Sequence, residues 1–232
     1  MPPAPSAPAS SRMRTDARRN AERIVRAAEQ VFIESGTEVT LEEIALRAGV
    51  GAATLYRHFG SKAELARAAV EHAFAEQVEP ALQQALDDSQ DALTTLVTAL
   101  EAVMTMIAQH RNALAAAMQP GQFPTGLVGH YYSRLEILLA RAQQQGTVRA
   151  DLDAEDLPRL TLMVLNTMWL NDAPDNWRRY LMLLLDALQP SAARPLPPIT
   201  PVTTPLPPLP PPDGDDLRCG ANMQQPGSCQ RG

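Results

Sequence analysis

The chain has 232 residues, of which 45% are hydrophobic and 4% aromatic, and its formal net charge is −6. This length allows one or two domains with a buried core, and the scarcity of aromatic residues favours packed helices over sheets. The negative charge excludes a protein that coats nucleic acid over its whole surface, so any DNA contact must come from a local basic region.

The two ends of the chain have the composition of disordered segments. Proline and serine crowd the first eleven residues, and twelve of the last 43 residues are proline. We therefore predict a disordered arm over residues 1–15 and a proline-rich disordered tail over 190–232. The tail contains PxxP spacings that SH3-like partners bind, although a solvated tail without a partner explains the same composition.

The sequence gives no sign of export, a membrane span or a metal site. The amino terminus lacks a signal pattern, and no apolar run approaches the length of a bilayer span. Both cysteines, Cys219 and Cys229, fall in the tail, so the folded part has no thiol for zinc or catalysis. These features predict a cytoplasmic protein without metal, cofactor or membrane contact.

Between the two ends, apolar spacing and capping residues predict an all-α fold of about nine helices. The first helix spans about residues 16–35 and stops at Gly36, and the second opens with a capping box of Thr40 and Glu43. A short third helix over about 52–59 follows, and a second capping box opens the fourth helix. The remaining helices are predicted over about 90–109, 111–118, 126–145, 154–171 and 175–189.

The third helix has an apolar side and a polar side. Leu55 and Phe59 are four residues apart and are expected to pack inward. The opposite side is polar and hydrogen-bonding, with Ala53, Thr54 and Arg57 outward and Tyr56 and His58 on the flanks. Such a helix after a glycine-containing turn suits insertion into a DNA major groove. The surrounding residues 12–67 are locally basic, with ten Lys or Arg against eight Asp or Glu.

Lys62 is the chain's only lysine and stands at the start of the fourth helix, where the helix dipole disfavours a positive charge. A DNA phosphate would account for this position, because the ammonium and the free backbone N–H groups would both contact it. A solvated lysine is the alternative, and the position alone favours neither.

Two segments resemble the tetracycline-repressor (TetR) family. Residues 40–65, TLEEIALRAGVGAATLYRHFGSKAEL, resemble its helix-turn-helix, and AERIVRAAEQVFIESG at 21–36 is similar to its first helix. GTVRADLDAEDL at 146–157 is similar to the family's link between later helices. The resemblance implies a helix-turn-helix DNA-binding domain over residues 16–62 and an effector-binding and dimerisation domain over 63–189. It also favours repression.

The resemblance also implies the DNA contacts. Thr40 and Lys62 would contact phosphate, Ala53 and Thr54 would face the groove, and Tyr56 and His58 would contact the backbone or bases. Arg57 lies where the family varies, so its base contact is inferred from its outward position. Gly51 and Ala52 replace a serine cap and a cation common in the family. Arginines 12, 14, 18 and 19 could compensate along DNA, or could form only a frayed cationic terminus.

The last two predicted helices carry more apolar residues than one buried face requires. One face must serve the subunit's own core, and a partner's equivalent helices would cover the other in a four-helix bundle. TetR-family proteins are similar in this respect. The residues assigned to this homodimer interface are Leu160, Val164, Met168, Trp177, Leu181, Leu184 and Leu188.

A small-molecule effector would occupy the interior of the second domain and change the separation of the paired DNA-reading helices. Most of the candidate pocket residues could equally be ordinary core. They are Met104, Ile107, His110, Met118, His130, Tyr131, Met163, Asn166 and Trp169.

Three other functions make different predictions. The dispersed histidines and the absence of catalytic motifs argue against an enzyme. A DNA-binding regulator without an effector, controlled by its abundance or by a partner on the tail, predicts a filled bundle instead of a cavity. Membrane association through the last helices is disfavoured because they lack a lysine-rich polar face.

Overall fold

The computed structural model describes residues 9–87, 91–117, 125–169, 176–192 and 194–197. The regular structure of these residues is entirely helical, which confirms the predicted all-α fold. The α helices are α1 (Ala9–Ser35), α2 (Leu41–Ala48), α3 (Ala52–His58), α4 (Lys62–Gln77), α5 (Glu79–Asp87), α6 (Ala92–Gln109), α7 (Arg111–Ala117), α8 (Thr125–Gln144), α9 (Asp156–Trp169) and α10 (Trp177–Ala187). Short 3-10 helices span Gly36–Glu38 and Pro190–Ala192.

Most helix boundaries lie within two residues of the predicted ones, and two places differ more. The first helix begins at Ala9 instead of residue 16, so it includes part of the segment predicted as a disordered arm. The fourth helix was expected to run to about Pro80 and then to continue or restart through Leu82 and Leu86; it ends at Gln77 and α5 restarts at Glu79, which accounts for ten α helices in the described part of the chain. Residues 1–8 and 198–232, most of the predicted arm and tail, lie outside the described residues.

Local capping fixes the short helices near the amino terminus. At the start of α2, the Thr40 hydroxyl accepts a hydrogen bond from the Glu43 N–H, and the Glu43 carboxylate accepts one from the Thr40 N–H, as predicted. Gly49 ends α2 with a φ of 63°. At α4 the second box is incomplete, because Ser61 caps the Glu64 N–H while the Glu64 carboxylate accepts from the Gly60 N–H.

The buried side chains form two cores. The head, which we define as α1–α3, the first half of α4 and α7, buries Ile24, Phe32, Ile44 and Leu55 together with Leu114 of α7. The body, which comprises the second half of α4, α5, α6 and α8–α10, has its own apolar core. Helix α4 therefore belongs to both, and the head extends beyond the predicted boundary at residue 62.

Helix α6 lies at the centre of the body. It contacts α4, α5, α8, α9 and α10, and its buried residues include Leu96, Leu100 and Met104. By length and composition alone, α6 could also cross a membrane. Its central position in the helical body accounts for the same apolar composition.

The chain that follows α10 returns to the loop before α9. The Arg149 guanidinium is buried and donates to both carboxylate oxygens of Asp151, at 2.6 and 2.8 Å, and to the carbonyl of Arg194. The Leu196 N–H donates to Asp151 Oδ2 at 2.9 Å. These contacts hold residues 194–196, the first part of the predicted tail, against the body.

Candidate nucleic-acid interface

Helix α3 presents a polar surface on the outside of the head. Leu55 and Phe59 are buried in the head core, as the spacing predicts. Ala53, Tyr56 and Arg57 are exposed, whereas Thr54 and His58 are partly buried. The His58 ring lies beside the Phe59 ring, with 6.3 Å between centroids. The exposed side of α3 therefore carries Tyr56 and Arg57, while Thr54, which was predicted to point outward, is partly buried.

Arg57 is the cation most available to a ligand on this surface. Its guanidinium forms no hydrogen bond or ion pair with another residue in the described part of the chain. A planar group with five donors suits bidentate contact with a guanine edge or with a phosphate. The geometry leaves Arg57 free to make either contact.

Thr40 lies at the start of α2, and its hydroxyl is already occupied. The hydroxyl donates to Glu43 Oε2 at 3.0 Å, and the Thr40 N–H donates to the same oxygen at 2.7 Å. These hydrogen bonds to Thr40 lower the pKa of the Glu43 carboxyl. A phosphate approaching this helix terminus must therefore share Thr40 with a carboxylate.

Tyr56 connects α3 to α2 across the same surface. Its side chain is 48% exposed, and its hydroxyl donates to Glu42 Oε1 at 2.9 Å. The hydrogen bond to Glu42 raises the pKa of the Tyr56 hydroxyl, because ionisation of the phenol would lose it. The Tyr56 hydroxyl therefore donates its only proton to a carboxylate of the protein itself.

Lys62 has a structural role that the sequence did not indicate. Its ammonium donates to the carbonyl of Thr37 at 2.7 Å and to that of Val39 at 3.2 Å. Thr37 belongs to the 3-10 helix between α1 and α2, and Val39 follows that helix directly before Thr40. The two contacts compensate for the position at a helix start, and an ammonium has a third N–H for an anion.

Arg23 is a further important residue that sequence reasoning missed. Its guanidinium donates to the carbonyls of Ala48 and Gly49, at 2.6 and 3.2 Å, and so neutralises the end of α2. A Cβ at Gly49 would lie 2.9 Å from this guanidinium. The positive φ of Gly49 could be predicted because Gly49 ends a helix, but its hydrogen bond with Arg23, 26 residues earlier in the chain, could not.

The predicted pocket residues do not form a single site. Met104, His110 and Tyr131 are buried and Ile107 is partly buried. His130, Met163 and Asn166 lie on the surface, so their assignment to an interior pocket is wrong. The Asn166 amide donates to the carbonyl of Leu162 one turn earlier, at 2.8 Å, which satisfies it without a ligand. Met118 and the side chain of Trp169 lie outside the described residues.

A crevice between α6, α9 and α10 offers an apolar surface in the body. Its free volume is about 10 Å³, close to that of a single water molecule, so the three helices nearly fill it. The Thr161 hydroxyl on its wall donates to the carbonyl of Leu157 at 2.8 Å, so its proton is already used. The lining residues are Leu100, Met104, Leu157, Leu160, Thr161, Val164, Leu181, Leu184 and Leu188.

The predicted dimer residues lie mostly on the inner side of α9 and α10. Val164, Trp177, Leu181 and Leu188 are buried in the subunit's own core, which leaves them little surface to offer a second subunit. Leu160, Met168 and Leu184 are partly buried against the same core. Among the described side chains of these helices, the large apolar ones left exposed are Met163 at 64%, Met182 at 53%, Leu183 at 55% and Tyr180 at 40%. The predicted excess of apolar residues exists, but on a rotated face.

Two regions of the chain match known family models. Residues 24–69 match bacterial regulatory proteins of the tetR family, and residues 91–190 match the C-terminal domain of SbtR-like transcriptional regulators. A helix-turn-helix-type transcriptional regulator from Staphylococcus aureus is 44% identical over 54 residues, which cover 23% of this chain. The match spans 29% of the length of that relative.

Solved structures are similar over a larger part of the chain. A TetR transcriptional regulator from Streptomyces coelicolor is 28% identical with a TM-score of 0.56, covering 74% of this chain and 99% of that one. A TetR transcription regulatory protein from Mycobacterium vanbaalenii is 30% identical with a TM-score of 0.54, covering 76% of this chain and 99% of that one. The head and body thus have the architecture of helix-turn-helix transcriptional regulators.

The two family models and the Mycobacterium structure identify the family within this class. The chain belongs to the TetR family of transcriptional regulators.

Proposed function

We propose that this protein is a sequence-specific DNA-binding regulator that represses transcription from a near-palindromic operator until a small hydrophobic effector releases it. The observation that supports this most directly is the outer side of α3, where Arg57 is exposed and unpaired among further hydrogen-bonding groups in the described part of the chain. Such a regulator acts in the cytoplasm, where the DNA is, and has no catalytic step.

On this proposal the DNA contacts are divided between positioning and sequence recognition. Thr40, Tyr56 and Lys62 contact phosphates and fix the register, because each presents an N–H or O–H donor beside α3. Arg57 contacts a base edge, while Ala53 and Thr54 face the groove and His58 contacts the backbone or a base. The exposure of Arg57 and the positions of the other donors support this division.

We infer that the homodimer forms through the exposed apolar side of α9 and α10. Met163, Met182 and Leu183 are more than half exposed there, and a partner's equivalent surface would remove them from water. A two-fold axis at this surface would present two α3 helices to successive major grooves.

The crevice between α6, α9 and α10 is the proposed effector site, and because its free volume is only about 10 Å³, an effector must spread these helices as it enters. The described lining residues are apolar except Thr161, whose hydroxyl already donates to a backbone carbonyl. None of the described residues that line it is charged, which favours a neutral apolar ligand or the apolar part of a larger one. Met104 of α6 is the member of the predicted pocket that lines it.

A regulator controlled by a partner protein is the second candidate. The hydrogen bonds from Arg149 and from the Leu196 N–H to Asp151 favour it, because they fix where the proline-rich segment leaves the body. This candidate predicts that removing the tail changes regulation and that apolar metabolites do not.

A DNA titration of the full-length protein distinguishes these candidates. Fluorescence anisotropy should detect binding to the DNA upstream of its own gene, in preference to a scrambled duplex of equal length, with a steep salt dependence. A panel of hydrophobic metabolites should then include a compound that releases the protein. Absence of binding to every duplex at low ionic strength would refute the DNA-binding function, whereas binding without release would favour the second candidate.

A further inference from the structure

The donors expected to contact phosphate are all occupied inside the protein. The Thr40 hydroxyl donates to Glu43, the Tyr56 hydroxyl to Glu42, and the Lys62 ammonium to two backbone carbonyls. Lysine has three N–H groups and can serve the carbonyls and a phosphate together, but a hydroxyl has a single proton. The two hydroxyls must therefore exchange partners when a phosphate arrives.

This change of hydrogen-bond acceptor can be followed in detail for the Tyr56 hydroxyl. The phenol proton points to Glu42 Oε1, 2.9 Å away, so the outer side of the hydroxyl oxygen offers only lone pairs. A DNA phosphate also offers only acceptor oxygens, so the two oxygens repel until the proton turns away from Glu42. The Glu42 carboxylate itself is exposed on the same surface and repels the phosphate further.

We propose that Glu42 is a positioning residue that restrains DNA binding by holding the Tyr56 hydroxyl in an arrangement that must be broken before it can donate to a phosphate. This inference rests on the proposed DNA contact of Tyr56. In the free head, Glu42 keeps the hydroxyl satisfied and links α2 to α3. In the complex, the phosphate replaces Glu42 as the acceptor, and the lost hydrogen bond lowers the affinity.

Glu42 is suited to this role because α2 does not depend on it for capping. The cap of α2 consists of Thr40 and Glu43, which bond reciprocally. Glu42 follows Leu41 in the first turn and has its hydrogen bond with Tyr56 instead. Replacing Glu42 by glutamine therefore leaves the capping box intact, removes the negative charge, and lets the amide donate to the phenol oxygen while the phenol proton turns outward.

A double-mutant cycle on the full-length protein tests the inference. Operator affinity is measured for the wild type, Glu42→Gln, Tyr56→Phe and the double variant, with thermal unfolding of each as a control for folding. We expect Glu42→Gln to tighten binding by about three- to tenfold, the range of one hydrogen bond. In the Tyr56→Phe background the same change should have a clearly smaller effect, because no phenol proton remains to be released.

Glu38 provides the control for charge. It is exposed, precedes Thr40 by two residues, and makes no hydrogen bond with Tyr56. Glu38→Gln removes the same charge from the turn that leads into α2, and we expect its effect to be equal in the wild-type and Tyr56→Phe backgrounds. A larger gain from Glu42→Gln than from Glu38→Gln, present only when the tyrosine is retained, supports the inference.

Two results overturn it in different ways. Weaker or unchanged binding of Glu42→Gln, or an equal gain in both backgrounds, would mean that Glu42 does not restrain Tyr56, while the DNA-binding function stands. If the wild type binds no duplex, the proposed function fails and the inference fails with it.

Discussion

Replacing Lys62 by methionine separates two roles of one ammonium group. Methionine keeps the apolar stem and removes the donors to the carbonyls of Thr37 and Val39, which lie 2.7 and 3.2 Å from the ammonium. Each hydrogen bond contributes about 1 kcal/mol net, so the pair contributes about 2 kcal/mol to the free energy of unfolding. For a protein of this size, that loss lowers the melting temperature by about 4–8 °C.

The same substitution should weaken DNA binding without changing sequence preference. The third N–H of the ammonium is available to a phosphate, and loss of one phosphate contact reduces the slope of log K against log salt by about 0.9. Because a phosphate contact carries no sequence information, affinity for operator and random duplexes should fall by the same factor.

Calorimetry and fluorescence anisotropy measure the two effects independently. Arg57→Met is the matched control, because Arg57 is exposed and makes no hydrogen bond or ion pair in the described part of the chain. It should leave the melting temperature unchanged and alter operator preference. A wild-type melting temperature for Lys62→Met would refute the stabilising role of the turn contacts. A loss confined to the operator would refute the phosphate contact.

Three further predictions concern the body. Leu183→Glu should give monomers in sedimentation equilibrium, whereas the same change at Leu46, which is exposed on the head, should leave the dimer intact; dimeric Leu183→Glu would exclude this interface. The hydrogen bonds from Arg149 hold the pKa of the Asp151 carboxyl well below its ordinary value. The ionised carboxylate therefore stabilises the folded protein fully above about pH 4, and this stabilisation is lost as the pH falls towards the pKa that Asp151 has in the folded state. Asp151→Asn should therefore reduce the melting temperature at neutral pH, and a difference that did not shrink in acid would contradict this origin. Leu160→Trp, which fills the crevice rim, should retain DNA binding and abolish release by an apolar effector; unchanged release would place the effector elsewhere.

Local sequence signals predicted the head well because its short helices are fixed by local chemistry. The Thr40 and Glu43 capping box forms as expected, and Gly49 ends α2 in the left-handed region. The four-residue spacing of Leu55 and Phe59 predicted the buried side of α3. In each case the interacting groups lie within one or two helical turns of each other, where sequence spacing determines geometry.

The apolar helices of the body were harder to orient. Residues 181–185 of α10 are apolar on every side, so periodicity has no preferred face there. Leu181 and Leu185 face the subunit core, while Met182 and Leu183 are exposed. The choice between these faces depends on how α10 packs against α9 and α6, which is set by contacts distant in sequence.

The hydrogen-bond partners of the DNA-binding side chains could not be predicted from the sequence either. Their positions follow from the helix pattern, but the partners of Tyr56 and Lys62 in the free protein lie 14 and up to 25 residues away. Sequence spacing predicts which groups reach the surface, and the fold decides whether those groups are free to bind.

Helices α4 and α7 connect the proposed effector site in the body to the DNA-binding head, because both pack into the head core. Leu100 and Met104 of α6 line the crevice, and α7 follows α6 after a break at His110. Helix α7 packs into the head core, and the Asn112 amide donates to the carbonyl of Phe32 at 2.9 Å. His110 is buried at the break, 3.0 Å from the Gln77 amide of α4, and burial lowers its pKa. Because α4 and α7 both enter the head core, a ligand that displaced α6 would shift two supports of the head together, and so change the spacing of the two α3 helices in a dimer.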